Sequence, residues 1–232
     1  MDWDARYAAA SGGLFGDAPN VWLTMLMARA DFAARSMLLP ADGDGRNGTW
    51  VAAQGLSVTA VDISAVATGK ARARDAAAGV WVERITADLR DWTPSPARRW
   101  AAAAILYLQG PPGLRWRAVD LAMAALEPGG WLILEGFSIE QADHEIGPRD
   151  ADRLYDLDAL CQAGLEHALL REVVLLSGDG DAGHPHAALA GGVFREAAPA
   201  AADLEHVVVV PGADAVADGG VLVALALRQR LV

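Results

Sequence analysis

Two short stretches decide how this chain folds: Leu38-Leu39-Pro40-Ala41-Asp42-Gly43-Asp44-Gly45-Arg46-Asn47 and, beyond a helical pattern, Val58-Thr59-Ala60-Val61-Asp62. The first runs from an apolar strand into a small glycine-bearing turn. The second is an apolar strand that closes on an acid. Together they outline a nucleotide-binding βαβ unit. Glycines let the backbone approach a ligand, and an acid ending the second strand can hold a ribose diol. The turn also carries Asp42 and Asp44. Two carboxylates would repel a pyrophosphate, and Gly48 stands at the wrong spacing for the third glycine of a dinucleotide loop. The unit therefore suits a nucleoside with positive charge and no phosphates.

The rest of the chain extends the alternation. Helical spacing covers residues 21–34, with Trp22, Met25, Leu26 and Arg29 in phase. A strand over 36–40 leads to the turn, and a helix from Asn47 ends at Gly55. Strand 56–61 follows. Ser64 is a suitable N-cap for a helix over 65–78 closed by Gly79. Residues 80–85 alternate as a third strand. Residues 100–108 are nearly all apolar, as expected of a central parallel strand covered on both faces. A helix over 114–126 stops at Glu127-Pro128-Gly129-Gly130, and 131–135 form a fifth strand. A helix over 150–164, strands at 171–176 and 187–194, and further elements at 206–210 and 221–227 complete the pattern. The fold class expected is α/β: a Rossmann-like, doubly wound, mostly parallel seven-stranded sheet with helices on both faces. Residues 1–196 read as one domain, with 1–35 as N-terminal helices or a lid. Residues 197–232 read as a C-terminal extension packed on it.

Composition narrows the partners. The chain has 232 residues, enough for one α/β domain with a full core. A formal charge of −11 argues against nucleic acid and anionic membranes as partners. Cys161 is the single cysteine, so no internal disulfide forms. The opening Met1-Asp2-Trp3-Asp4 is acidic where a signal peptide would be basic, and no apolar run approaches the ~20 residues of a membrane span. A cytoplasmic protein is the expectation.

Four parts of the sequence, in order, resemble the class I S-adenosylmethionine-dependent methyltransferases, and more narrowly the bacterial tellurite-resistance and thiol methyltransferase-like group. They are Trp3-Asp4-Ala5-Arg6-Tyr7 with Leu14-Phe15-Gly16-Asp17-Ala18-Pro19-Asn20; the turn with Val61-Asp62-Ile63-Ser64; Ala87-Asp88-Leu89 followed by Trp92; and Leu126-Glu127-Pro128-Gly129-Gly130 leading into Leu132-Ile133-Leu134-Glu135. S-adenosylmethionine also meets the charge requirement, being an adenosine with a sulfonium and an ammonium.

The resemblance implies residue roles. Ala41, Gly43, Gly45 and Asn47 would form the turn beneath the methionine part of the cofactor. Asp62 would hold the ribose hydroxyls, Ile63 would pack on adenine, and Asp88, between Ala87 and Leu89, would take the adenine amine. Tyr107, Leu108 and Gln109 would face the methyl group and the substrate. The family's acid at the end of the first strand is replaced by Leu39, so the ammonium is expected to meet Asp42 or Asp44. Ala101 likewise stands where the fourth strand usually carries an acid.

The implied reaction is methyl transfer to a small-molecule acceptor by in-line displacement, leaving S-adenosylhomocysteine. A thiol, selenium or tellurium acceptor needs no strong base. A hydroxyl or amine acceptor in a specialised pathway does, with His184, His186, Glu135 and Tyr107 as candidates. A non-catalytic S-adenosylmethionine-binding module is the reading from a different class. His184 and His186 form a His-x-His pair that reads first as a polar loop, then as a substrate contact. No metal is assigned.

Overall fold

The structure is a computed structural model and describes residues 1–30, 32–137, 139, 148, 150–156, 159, 170–177, 206–209 and 222–229. Eight strands form one sheet in the order β3-β2-β1-β4-β5-β8-β6-β7. They are β1 (Ser36–Pro40), β2 (Ser57–Asp62), β3 (Glu83–Thr86), β4 (Trp100–Leu106), β5 (Leu126–Phe137), β6 (Leu170–Ser177), β7 (His206–Val209) and β8 (Leu222–Gln229). The first five run parallel, and β8 lies antiparallel between β5 and β6. The sheet is thus mostly parallel. Among the described residues, β1 to β6 answer to six of the seven expected strands, and β7, paired with β6 at the edge, and β8 answer to the further elements expected at 206–210 and 221–227. The strand expected at 187–194 and most of the helix expected at 150–164 lie outside the described residues.

Strand alternation builds the core. On β1, Leu38 points into one apolar cluster while Met37 and Leu39 point into the other. The Leu38 side packs beneath α5 (Pro112–Ala125), through Ala118, Leu121 and Ala122. The opposite side packs beneath α2 (Val21–Met27) and α3 (Arg46–Ala53), through Trp22, Leu23, Leu26 and Val51. Apolar runs in β1 and β4 follow from this double cover. Leu39, standing where an acid was expected, is a fully buried member of the second cluster.

Two boundaries moved. The helix expected over 21–34 ends at Met27, where the Ala28 amide turns back to the carbonyls of Thr24 and Leu26. Beyond it the apolar residues Phe32 and Ala34 pack on the core individually, without helical phase. The strand expected at 80–85 begins only at Glu83, opposite Thr59 of β2. The helices α1 (Trp3–Ala9) and α4 (Ala65–Ala78) adjoin each other. Asp4 of α1 caps the start of α4, accepting from the Ser64 hydroxyl at 2.5 Å and the Val66 amide at 3.1 Å.

Chain order reverses between β1 and β4, and open α/β sheets bind ligands outside the carboxyl ends of their strands at such a switch point. The turn after β1, Asp62, Ala87, Tyr107 and Glu135 all stand at that end of the sheet.

Candidate functional site

The turn after β1 is shaped by three left-handed residues: Ala41 (φ 59°), Gly43 (φ 58°) and Gly45 (φ 85°). Glycine tolerates this conformation; for Ala41 it costs on the order of 1 kcal/mol. The Ala41 amide donates to Val61 O at 2.7 Å, which fastens the turn to β2. Side chains are excluded at both glycines. A Cβ on Gly43 would collide with the Tyr7 hydroxyl, and one on Gly45 would lie 2.7 Å from Ala71 and Arg84. Tyr7 of α1 is therefore buried directly above the turn, while Phe15 remains 45% exposed.

Asp62 ends β2 beneath this turn. Its carboxylate accepts the Gly43 amide at one oxygen and the Ser64 amide at the other, each at 2.8 Å. Burial nonetheless raises its proton affinity. A carboxylate offers about four acceptor sites, so two remain. Beside it Ile63 is 49% exposed, an apolar side chain held at the rim. The Ala87 amide donates to Asp62 O at 2.9 Å, joining the end of β3 to the same edge. Asp88 follows, its carboxylate gripped by the Arg90 guanidinium at 2.5 Å, which lowers its proton affinity. Leu89 is buried.

The two turn acids, either of which was expected to face an ammonium, differ in their surroundings. The Asp42 carboxylate turns inward, accepts the Gly48 amide at 3.1 Å and pairs with Arg84; both side chains are at most 3% exposed. Arg84 also grips Asp75 through two bonds of 2.9 Å, and Thr49 donates to Asp75 at 2.6 Å. Asp42 is thereby committed to the scaffold, because its charge is already opposed by a guanidinium. Asp44 accepts the Leu14 amide at 3.0 Å and so ties the N-terminal segment to the turn.

A second polar group lies beside the ends of β4 and β5. Tyr107 has φ 54°, and its amide donates to Glu135 O at 2.7 Å. Its hydroxyl donates to Glu135 Oε1 at 2.9 Å. The other carboxylate oxygen, Oε2, accepts Asn20 Nδ2 at 2.5 Å. Asn20 is oriented from both sides: its Oδ1 accepts the Leu23 amide as the cap of α2, and its own amide donates to Asn47 Oδ1 at 2.8 Å. Asn47, expected at the cofactor, thus holds Asn20. Burial raises the proton affinity of Glu135 and of the Tyr107 hydroxyl. Gln109 is half-buried two residues beyond Tyr107. His184 lies outside the described residues.

Sequence reasoning did not assign Arg84, Asp75 or Asn20. One signal for Arg84 was present: it shares strand parity with buried Val82, so period 2 turns it inward. Among the described residues, no group of three or more His, Cys, Asp or Glu could hold a metal, and no helix is long and apolar enough to cross a membrane.

No family model matches the chain, and no curated protein matches it. Solved structures do. The N-methyltransferase NodS from Bradyrhizobium japonicum WM9, in complex with S-adenosylhomocysteine, superposes with a TM-score of 0.61 at 14% identity, over 98% of this chain and 96% of that one. A SAM-dependent methyltransferase from Geobacter sulfurreducens, also with S-adenosylhomocysteine, gives 0.55 at 17% identity over 75% and 74%. A third, from Thiobacillus denitrificans with the same ligand, gives 0.54 at 19% over 75% and 74%. The chain has the fold of the S-adenosylmethionine-dependent methyltransferases.

Proposed function

We propose that this protein is an S-adenosylmethionine-dependent methyltransferase acting on a small molecule. The observation that carries the reading is Asp62: a largely buried carboxylate at the end of β2, clasping the amide of Gly43 in a left-handed turn and keeping acceptor capacity in reserve. These residues fit the cofactor by donor chemistry. Asp62 holds the two ribose hydroxyls, since one carboxylate accepts both bonds. The turn at Ala41, Gly43 and Gly45 passes beneath the methionine part, with Tyr7 packed over Gly43. Ile63 covers one adenine face. Asp88 takes the adenine amine after loosening its exposed pairing with Arg90, and the Leu89 amide meets a ring nitrogen. Asp44, whose carboxylate accepts the Leu14 amide and meets no cation among the described residues, is the turn acid nearest in role to the missing one at Leu39. Tyr107 and Gln109 border the methyl group.

When bound, the cofactor supplies a methyl on a sulfonium, a good leaving group. The chain then orients an acceptor behind that methyl and excludes water. Tyr7, buried over Gly43, contributes the exclusion. The narrower sequence resemblance to the thiol and tellurite-resistance methyltransferase-like group favours a soft acceptor. The Tyr107–Glu135 pair favours a second reading, an oxygen or nitrogen acceptor. Calorimetric titration with S-adenosylhomocysteine tests the common core of both. Saturable binding weakened about tenfold or more in D62A supports it; wild-type protein giving no heat overturns it.

A further inference from the structure

The group formed by Tyr107, Glu135, Asn20 and Asn47 has a property that packing alone does not require. Glu135 is 3% exposed, yet among the described residues its hydrogen-bond partners are neutral: an amide nitrogen on Oε2 and a phenol on Oε1. A buried carboxylate is ordinarily closed by a cation, as Arg84 closes Asp42 and Asp75. Among the described residues the cation whose charge bears on it is Arg46 of α3, which makes no hydrogen bond to it and donates to Ala18 O at 3.2 Å. The Asn20 amide cannot exchange ends without losing the Leu23 amide at its Oδ1, so Nδ2 stays on Glu135. Burial raises the proton affinity of Glu135, and the two donors oppose that shift by favouring its ionised form. In front of it Tyr107 is only half-buried, held at positive φ with its ring edge-on to Phe137 at 5.4 Å.

On the methyl-transfer reading above, we propose that Tyr107 and Glu135 form a proton relay, so that the acceptor is a hydroxyl or amine and not a chalcogen. Each methyl gained by such an acceptor releases one proton. That proton passes to Tyr107 Oη as the tyrosine's own proton passes to Glu135 Oε1, leaving the phenol neutral and the carboxyl neutral. Tyr107 is the catalytic residue. Glu135 acts through it, and Asn20 positions Glu135. A thiolate brings no proton and has no use for the relay.

The test compares wild type, E135Q and Y107F with phenol, benzylamine and dithiothreitol as probes, following S-adenosylhomocysteine formation. The expected result is turnover on phenol or benzylamine that falls about 100-fold or more in E135Q, with the acidic limb of the pH profile abolished. Fastest turnover on dithiothreitol, or an unchanged rate in E135Q, overturns the relay. A second readout needs no turnover. Infrared difference spectra of the S-adenosylhomocysteine complex should show a carboxyl band that titrates above the ordinary glutamate range, disappears in E135Q and moves in Y107F. A Glu135 that titrates at or below that range overturns the relay regardless of the acceptor. If calorimetry finds no S-adenosylhomocysteine binding, the donor reading falls and the relay with it. Binding by a protein whose Glu135 titrates normally removes the relay alone.

Discussion

Two buried carboxylate groups stand at the carboxyl end of the same sheet, and they are built on opposite principles. At the turn, Asp42 and Asp75 share one guanidinium, and every strong donor is consumed inside the cluster. At the end of β5, Glu135 meets only neutral donors among the described residues. The first arrangement locks β3, α3 and α4 around the glycine turn. The second leaves a carboxylate able to change its proton count without breaking an ion pair. The contrast separates scaffold from chemistry more sharply than residue type does, since both groups are acids beside the same proposed ligand.

The largest effect is expected from removing the shared cation. R84M leaves Asp42 and Asp75 buried without their shared cation and should cost about 3–5 kcal/mol in urea unfolding. A cost below ~1 kcal/mol would show that the turn cluster is not the scaffold described. In the other group, E135Q should cost no more than about 1–2 kcal/mol of stability, because the amide still offers an oxygen to one donor. Comparing the two unfolding curves breaks the contrast if they coincide. G45A comes next. Its Cβ meets Ala71 and Arg84 at 2.7 Å, in a left-handed conformation, so about 1–3 kcal/mol is expected by the same measurement.

How much of this was legible in the sequence differs between the two groups. The βαβ unit, the order of strands through β5 and the place of Asp62 were readable, because apolar runs, glycines and a closing acid are local signals. Acidity of the turn was read correctly but assigned too simply: Asp42 answers to Arg84, a residue 42 positions away whose inward parity is visible only once β3 is placed. Leu39 was visible as a departure, and the fold explains it as a core residue of the second cluster. Asn20 and Glu135 are separated by 115 positions, so their bond depends on how the N-terminal segment returns to β5. No local pattern encodes it.

A smaller effect sharpens the same contrast through pH. Burial raises Asp42 from 3.8 to about 6, against the pull of Arg84. The folded state therefore binds this proton more readily than the unfolded one. That contribution is fully present below pH 3.8 and is lost as pH rises through 6. Wild type should lose stability relative to D42N across that window, read as diverging urea midpoints. Midpoints that stay parallel would show that Asp42 binds its proton equally in the folded and unfolded states, contradicting the burial effect.

The measurement closest to the central claim is calorimetry of S-adenosylhomocysteine with wild type and D62A, the fold of each verified by its urea transition. Saturable binding by wild type, weakened about tenfold or more when the Asp62 carboxylate is removed, is the expected result. No binding by folded wild type, or equal binding by D62A, would contradict the assignment of this turn and its acid to a cationic nucleoside cofactor.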